Sequence, residues 1–275
     1  MNNDYKVLKK IKISILVLFF ILIGSIASIA WVNSDTSNNP DIDKLLTSDE
    51  YYEYEVRYGF FRLGNVNIAV SDTLIGGDTH YLIKAIMYSN SKLPFVGYRE
   101  YHYNSIVQPR DTTLYTSYFW MDKVHRDVKP FGSYEFDYKN NLIYSFEHPA
   151  KRDTLSMENI SYGGPELMLL SRTHSGTSTN WTYPVAIDGA VHNVKVNYTK
   201  ETRSIRSGIT GRNVQTYRTD GFADLNGPFG FSGSFQGYNT ADDLRLPIET
   251  KLNVWIGNAV IRLTHFESNQ DEKSN

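Results

Sequence analysis

Three short stretches of this chain carry residue types and spacings that could do chemistry. The first is Tyr98-Arg99-Glu100-Tyr101-His102. In an extended strand residues two apart share a face, so Tyr98, Glu100 and His102 line up. A carboxylate between a phenol and an imidazole is the make-up of an acid–base centre or a polar ligand contact. The second is Asp242-Asp243-Leu244-Arg245. Paired carboxylates suggest general acid–base work, but strand parity sends neighbours to opposite faces, so Asp242 and Asp243 are poor partners on one substrate atom. Asp243 and Arg245 share a face and read as a rim ion pair first, a ligand contact second. The third is GPFGFSGSFQG, Gly227 to Gly237. It lacks the lysine of a phosphate loop. Phe229, Phe231 and Phe235 fall on one face, while Gly230, Ser232 and Ser234 leave the other almost without bulk. Core packing explains the rings; Gly230 and Ser232 offer a smooth wall that a ligand can approach.

Other chemistries find little support. The seven histidines, His80, His102, His125, His148, His174, His192 and His265, form no HxH, HxxxH or HExxH spacing, so no metal is expected. There is no GxSxG elbow and no cysteine, which removes thiolate zinc, cysteine nucleophiles and disulfides. No cofactor and no catalytic residue is expected. A hydrolase built around His102, Glu100 and a distant carboxylate ranks last among the functional readings. The sequons at Asn159, Asn180 and Asn197 read as incidental.

The elements that must position these residues are strands. In YYEYEVRY, Tyr52, Tyr54, Val56 and Tyr58 share one face, and Tyr51, Glu53, Glu55 and Arg57 the other. Val66, Ile68 and Val70 alternate in the same way, and THYLIKAIMY follows the Gly76-Gly77-Asp78 turn. Further turns are expected at Lys139-Asn140-Asn141, Asp188-Gly189 and Gly257-Asn258. About a dozen strands at this rhythm indicate an all-β sandwich or barrel. Helical signal is confined to Asp43–Glu50 and to Gly163–Arg172, where Pro165 suits a first helical position. Tyr 20 and Phe 14 suit strands with one wet face, since a tyrosine ring packs while its hydroxyl reaches water. Charge on the faces opposite the apolar ones, as in Glu53, Glu55 and Arg57, argues for a sheet with one face in water over an outer-membrane barrel.

The N-terminus points to a membrane. Ile13 to Val32 holds no charge, and twenty helical residues span about 30 Å, a bilayer core. Lys6, Lys9, Lys10 and Lys12 precede it while Asp35, Asp41 and Asp43 follow, which places the N-terminus inside and the rest outside. The length favours a retained inner-membrane anchor over a cleaved signal peptide, although Ser28-Ile29-Ala30 offers a cleavage site. Without the first 33 residues the chain holds 24 basic and 29 acidic residues, a net charge of −5. An acidic domain argues against a nucleic-acid surface, which needs clustered lysine and arginine.

Asp243-Leu244-Arg245-Leu246-Pro247-Ile248-Glu249, with Ile256-Gly257-Asn258-Ala259-Val260-Ile261-Arg262-Leu263, resembles the C-terminal signature of domain-of-unknown-function family 3108. The opening Tyr54-Glu55-Val56-Arg57-Tyr58-Gly59-Phe60-Phe61-Arg62-Leu63-Gly64 is similar to that family's, as are Asp153-Thr154-Leu155-Ser156 and Leu170-Ser171-Arg172. The chain departs from it at Tyr238-Asn239, where the family has a tryptophan, and in a longer insertion after Ser156. The resemblance covers roughly residues 50–266. It implies a bacterial envelope protein of antiparallel β fold, with no catalytic residues to transfer.

The expectation is therefore a membrane anchor or signal segment at 1–32, a polar linker and lead-in at 33–48, an antiparallel β domain at 49–267 and a disordered tail at 268–275. The sheet should form an open or half barrel with one or two short helices. Its expected role is binding or transfer of an amphipathic molecule, a lipid or lipoprotein, in the periplasm. A structural or interaction module of the envelope is the alternative.

Overall fold

A computed structural model of the chain describes residues 45, 49–92, 97–110, 113–125, 127–147, 149–224, 233–253 and 258–269. All lie in the compact unit Thr36–Asn275. The strands are β1 (Glu50–Tyr58), β2 (Phe61–Ile75), β3 (Asp78–Ser89), β4 (Glu100–Arg110), β5 (Thr113–His125), β6 (Asp127–Asp137), β7 (Leu142–Glu147) and β8 (Lys151–Ser156). A helix follows, α1 (Leu167–His174), then β9 (Thr179–Ile187), β10 (Ala190–Arg206), β11 (Asn213–Ala223), β12 (Gly233–Thr240), β13 (Pro247–Asn253) and β14 (Asn258–Ser268).

These strands form one antiparallel sheet in the order β8-β7-β6-β5-β4-β3-β2-β1-β14-β13-β12-β11-β10-β9. Every neighbour except β1–β14 is also a sequence neighbour, so each arm is a meander and the two join where β1 meets β14. The sheet is open: β8 and β9 are its two edges, and α1 lies between them in the chain. Strand parity sets the inner face. Tyr52, Tyr54, Val56, Val66, Ile68 and Val70 are all buried, as their alternation requires.

The inner face is filled. Tyr134, Tyr162, Tyr183, Tyr198, Phe119 and Phe136 join the same core as Leu169 and Leu170 of α1. Burial drives Tyr134 and Tyr162 up to about 12, so both hydroxyls stay protonated at neutral pH. Two buried polar clusters fix α1 against the sheet. Arg172 donates to Glu50 at 2.8 Å, to the Tyr52 hydroxyl at 2.8 Å and, through Nε, to the Leu244 carbonyl at 2.9 Å. Glu166 accepts from Ser105 at 2.9 Å, from Thr116 and from the Gly163 amide at 2.5 Å. Across the open side, Tyr162 bridges Val185 of β9, and the Gly189 amide donates to the Tyr134 hydroxyl of β6.

The helix begins later than its sequence signals suggest. Pro165 precedes it, and Glu166 turns back to the Gly163 amide and to β4 and β5 instead of starting the first turn. The lead-in helix expected over Asp43–Glu50 lies mostly outside the described residues, and Glu50 already belongs to β1. Gly163 packs face-on against Phe119: a Cβ there would sit 2.3 Å from the ring's Cγ. Gly163→Ala is thus expected to lower stability by about 1–3 kcal/mol through overpacking, measured as a shift in the urea midpoint at unchanged slope.

Candidate functional site

With the inner face occupied, the outer face among the described residues carries two shallow concavities. Two adjoining depressions of about 460 and 450 Å³ lie on β5–β8 and share Tyr118, Ser133 and Phe146. Register builds them. Tyr118, Glu135, Tyr144 and Thr154 stand side by side across four strands, and so do Trp120, Ser133, Phe146 and Arg152. Each row carries two aromatic residues with polar ones between or beside them. The Tyr118 and Trp120 rings lie 5.6 Å apart, and the Arg152 guanidinium sits 5.5 Å over Phe146. Inner-face neighbours Phe119 and Tyr134 are fully buried, which fixes the parity and keeps these rows outside. A bulge between Met121 and Asp122 turns Asp122 and Pro130 into the wall of the second depression.

The sequence-predicted polar triad is assembled beside this surface. The Tyr98 hydroxyl donates to Glu100 Oε2, and His102 Nε2 lies 2.7 Å from Glu100 Oε1. The Tyr98 hydrogen bond, with that of His102, holds the Glu100 carboxyl below its ordinary range, and the same contact pushes Tyr98 up to about 12. Both carboxylate oxygens are thereby engaged, which suits a polar ladder better than a free base. His102 stands opposite Asp122 in the β4–β5 register, one strand from the depression that Asp122 lines.

The Asp243–Arg245 expectation meets a different geometry. Residues 241–246 form a turn, not the entrance of a regular strand, because Pro247 starts β13. Asp242 organises it, accepting from Thr240 at 2.6 Å and from the Arg245 amide at 3.2 Å. Arg245 adopts a φ of +50° and points inward: its guanidinium lies 4.6 Å over the Tyr217 ring and donates to the Ser175 carbonyl at 3.3 Å. No ion pair joins Asp243 and Arg245 among the described residues, since the left-handed turn separates side chains that strand parity would have aligned. Gly230 and Ser232 lie outside the described residues.

Sequence reasoning missed the paired rows on β5–β8, which depend on four strands at once. It also missed Glu166, Arg172 and His174, whose partners are far away in the chain. His174 stacks at 4.2 Å on Trp181 and 5.5 Å from Tyr198, and is 2% exposed. Neither of its ring nitrogens has a hydrogen-bond partner, and burial pulls its pKa down to about 4. The Gly163-Gly164-Pro165-Glu166 run before the helix was the one visible signal for this plug. No group of three or more histidine, aspartate or glutamate residues converges to hold a metal ion among the described residues.

With this geometry in view, comparison adds the fold and no more. No protein-family model matches the chain, and no curated protein does. Among solved structures, the chain resembles the crystal structure of a β-barrel-like protein of domain-of-unknown-function family 1849 from Brucella abortus. The TM-score is 0.51 at 10% identity, covering 80% of this chain and 97% of that one. The two chains thus share a fold while their sequences are almost unrelated. No helix among the described residues is long and apolar enough to cross a membrane.

Proposed function

We propose that this chain is a non-catalytic binding module of the cell envelope, whose outer aromatic rows on β5–β8 take an amphipathic molecule such as a lipid or the acyl chain of a lipoprotein. The observation that carries the reading is the pairing of two adjoining depressions with Tyr118, Trp120, Tyr144 and Phe146 and a flanking Arg152. Apolar rings supply contact area, and the arginine supplies a partner for an anionic head group. The envelope setting is supported by the uncharged run Ile13–Val32 with its basic flank. Affiliation with family 3108 belongs to the same proposal, and rests on the motifs quoted from Tyr54–Gly64 and Asp243–Leu263.

Such a molecule binds on the sheet, not inside it, because the inner face is filled by rings and α1. Native mass spectrometry of the full chain, purified in detergent from its membranes, tests this. A bound lipid-sized species is expected, and it should fall at least tenfold in Trp120→Ala/Tyr144→Ala. Protein that is repeatedly empty, or a bound species indifferent to those substitutions, would sink the idea.

A second reading has its own observation. The edge strand β8 bonds only β7 among the described strands, and Arg152, Asp153 and Thr154 bring it to the rim of the larger depression. A partner strand adding to β8 would lay alternate side chains over the aromatic rows. Crosslinking in cells through residue 154 distinguishes the two, since this reading predicts one dominant protein adduct.

A further inference from the structure

The hairpin between β1 and β2 carries a feature that the groove does not use. Tyr58 pairs with Phe61, leaving a two-residue turn of Gly59 and Phe60, with Gly59 at a φ of +56°. Phe60 is 78% exposed and Phe61 48%, and their rings lie 4.1 Å apart. Two adjacent phenylalanines on the tip of a tight turn are held out in water by the backbone itself.

The charge around them is positive. The Arg57 guanidinium donates to the Phe60 carbonyl at 3.0 Å, so it sits directly behind the rings. Arg62 follows Phe61, and its carbonyl accepts from Asn90 at 2.9 Å, which brings in the neighbouring β3–β4 connection. Lys92 is bound to that same Asn90 through its amide at 3.0 Å. The Arg99 amide donates to the Ser89 hydroxyl at 2.8 Å, and Ser89 stands opposite Gly64. Against these four cations stand two carboxylates. Glu55 is paired to Arg57 at 2.8 Å and Arg62 at 3.3 Å, and Glu100 is engaged by Tyr98 and His102. The patch is basic on a chain whose overall charge is negative.

The opposite end of β2 provides an internal contrast. The β2–β3 tip also exposes apolar side chains, with Leu74 at 75%, but the charged residues of its own two strands nearest the turn are Asp72 and Asp78. No lysine or arginine occurs between residues 71 and 83. Exposure alone therefore does not distinguish the two tips; aromatic rings with a basic collar do.

We infer that the β1–β2 tip docks on an anionic bilayer surface, with Phe60 and Phe61 entering the boundary between head groups and acyl chains and Arg57, Arg62, Lys92 and Arg99 facing the phosphates. Aromatic residues favour that boundary, and basic side chains reach back along their stems to the head groups. The inference is independent of the groove on β5–β8, since it uses other residues and another class of contact.

The absence of cysteine makes the test clean. Full-length chain with Ser91→Cys, or with Thr79→Cys at the far tip, is labelled with an environment-sensitive fluorophore and reconstituted in vesicles. The vesicles are of equal parts phosphatidylcholine and phosphatidylglycerol, or of phosphatidylcholine alone, each doped with a spin-labelled quencher lipid. Quenching at position 91 is expected to exceed that at 79 by at least about fivefold in the anionic vesicles. It should collapse to the level of position 79 in neutral vesicles, in Phe60→Ser/Phe61→Ser and in Arg57→Gln/Arg62→Gln. Equal quenching at both positions in anionic vesicles overturns the inference. Quenching that survives loss of both phenylalanines overturns it as well, because charge alone would then hold the surface.

Discussion

Replacing Arg172 with methionine is expected to lower the unfolding free energy by about 3–5 kcal/mol, the largest single loss predicted for this fold. Arg172 and Glu50 are only 1% and 2% exposed, and the pair spans the helix and the strand that joins the two arms. Without the guanidinium, Glu50 loses the buried cation that donates to it at 2.8 Å, while the Tyr52 hydroxyl still donates at 2.6 Å. The Leu244 carbonyl loses its donor too. A buried carboxylate left without its cation is costly, whereas removing both charges is far cheaper. Glu50→Gln/Arg172→Met should therefore regain most of the loss in urea unfolding followed by near-ultraviolet circular dichroism. A double variant as unstable as the single one would show that the ion pair itself, and not the stranded charge, matters.

The second large effect is one of pH. The His174 ring is neutral in the fold because burial between Trp181 and Tyr198 disfavours its charged form. Its folded pKa, about 4, lies below the ordinary 6.5, so the unfolded chain binds the extra proton between those values. Stability is therefore full above pH 6.5, falls as the pH drops towards 4 and loses no more from this residue below that. The shift corresponds to about 3 kcal/mol. His174→Phe keeps an aromatic ring in the stack and removes the titration. The stability of the phenylalanine variant relative to the histidine protein should rise from pH 7 to pH 4, as read by urea midpoints. A constant difference across that range would mean that the imidazole is solvated or paired. Because both ring nitrogens lack partners, phenylalanine is expected to do well even at neutral pH.

What could be read from the sequence follows from range. Parity over a few residues placed Tyr52, Tyr54 and Val56 on the inner face and aligned Tyr98, Glu100 and His102, because side-chain alternation is a local property. The same rule failed at Asp243 and Arg245, since it holds only in extended backbone and Asp242 had already drawn the chain into a turn. Nothing local ties Arg172 to Glu50, 122 residues away, or Glu166 to Ser105. Those contacts arise when the sheet curls on α1, and the sequence around each residue is indifferent to that. The aromatic rows are intermediate. Tyr118 and Trp120, or Tyr144 and Phe146, are visible as alternating pairs, but their union depends on register through β6 and on the bulge at Met121. A slip of one residue would turn them inward.

Buried tyrosine and phenylalanine rings fill the inner face, so the proposed ligand site is carried by a smaller set of rings on the other side of β5–β7. The most direct measurement of that claim places a fluorophore at the rim of the depressions. Full-length chain with Thr154→Cys, and separately Thr202→Cys on β10 in the other arm, is titrated in detergent with a spin-labelled lysolipid. Saturable quenching at 154 and none at 202 is the predicted result, and Trp120→Ala should weaken it about tenfold. Quenching that is equal at the two positions, or that grows without saturating, would contradict a ligand site on the outer face of β5–β8.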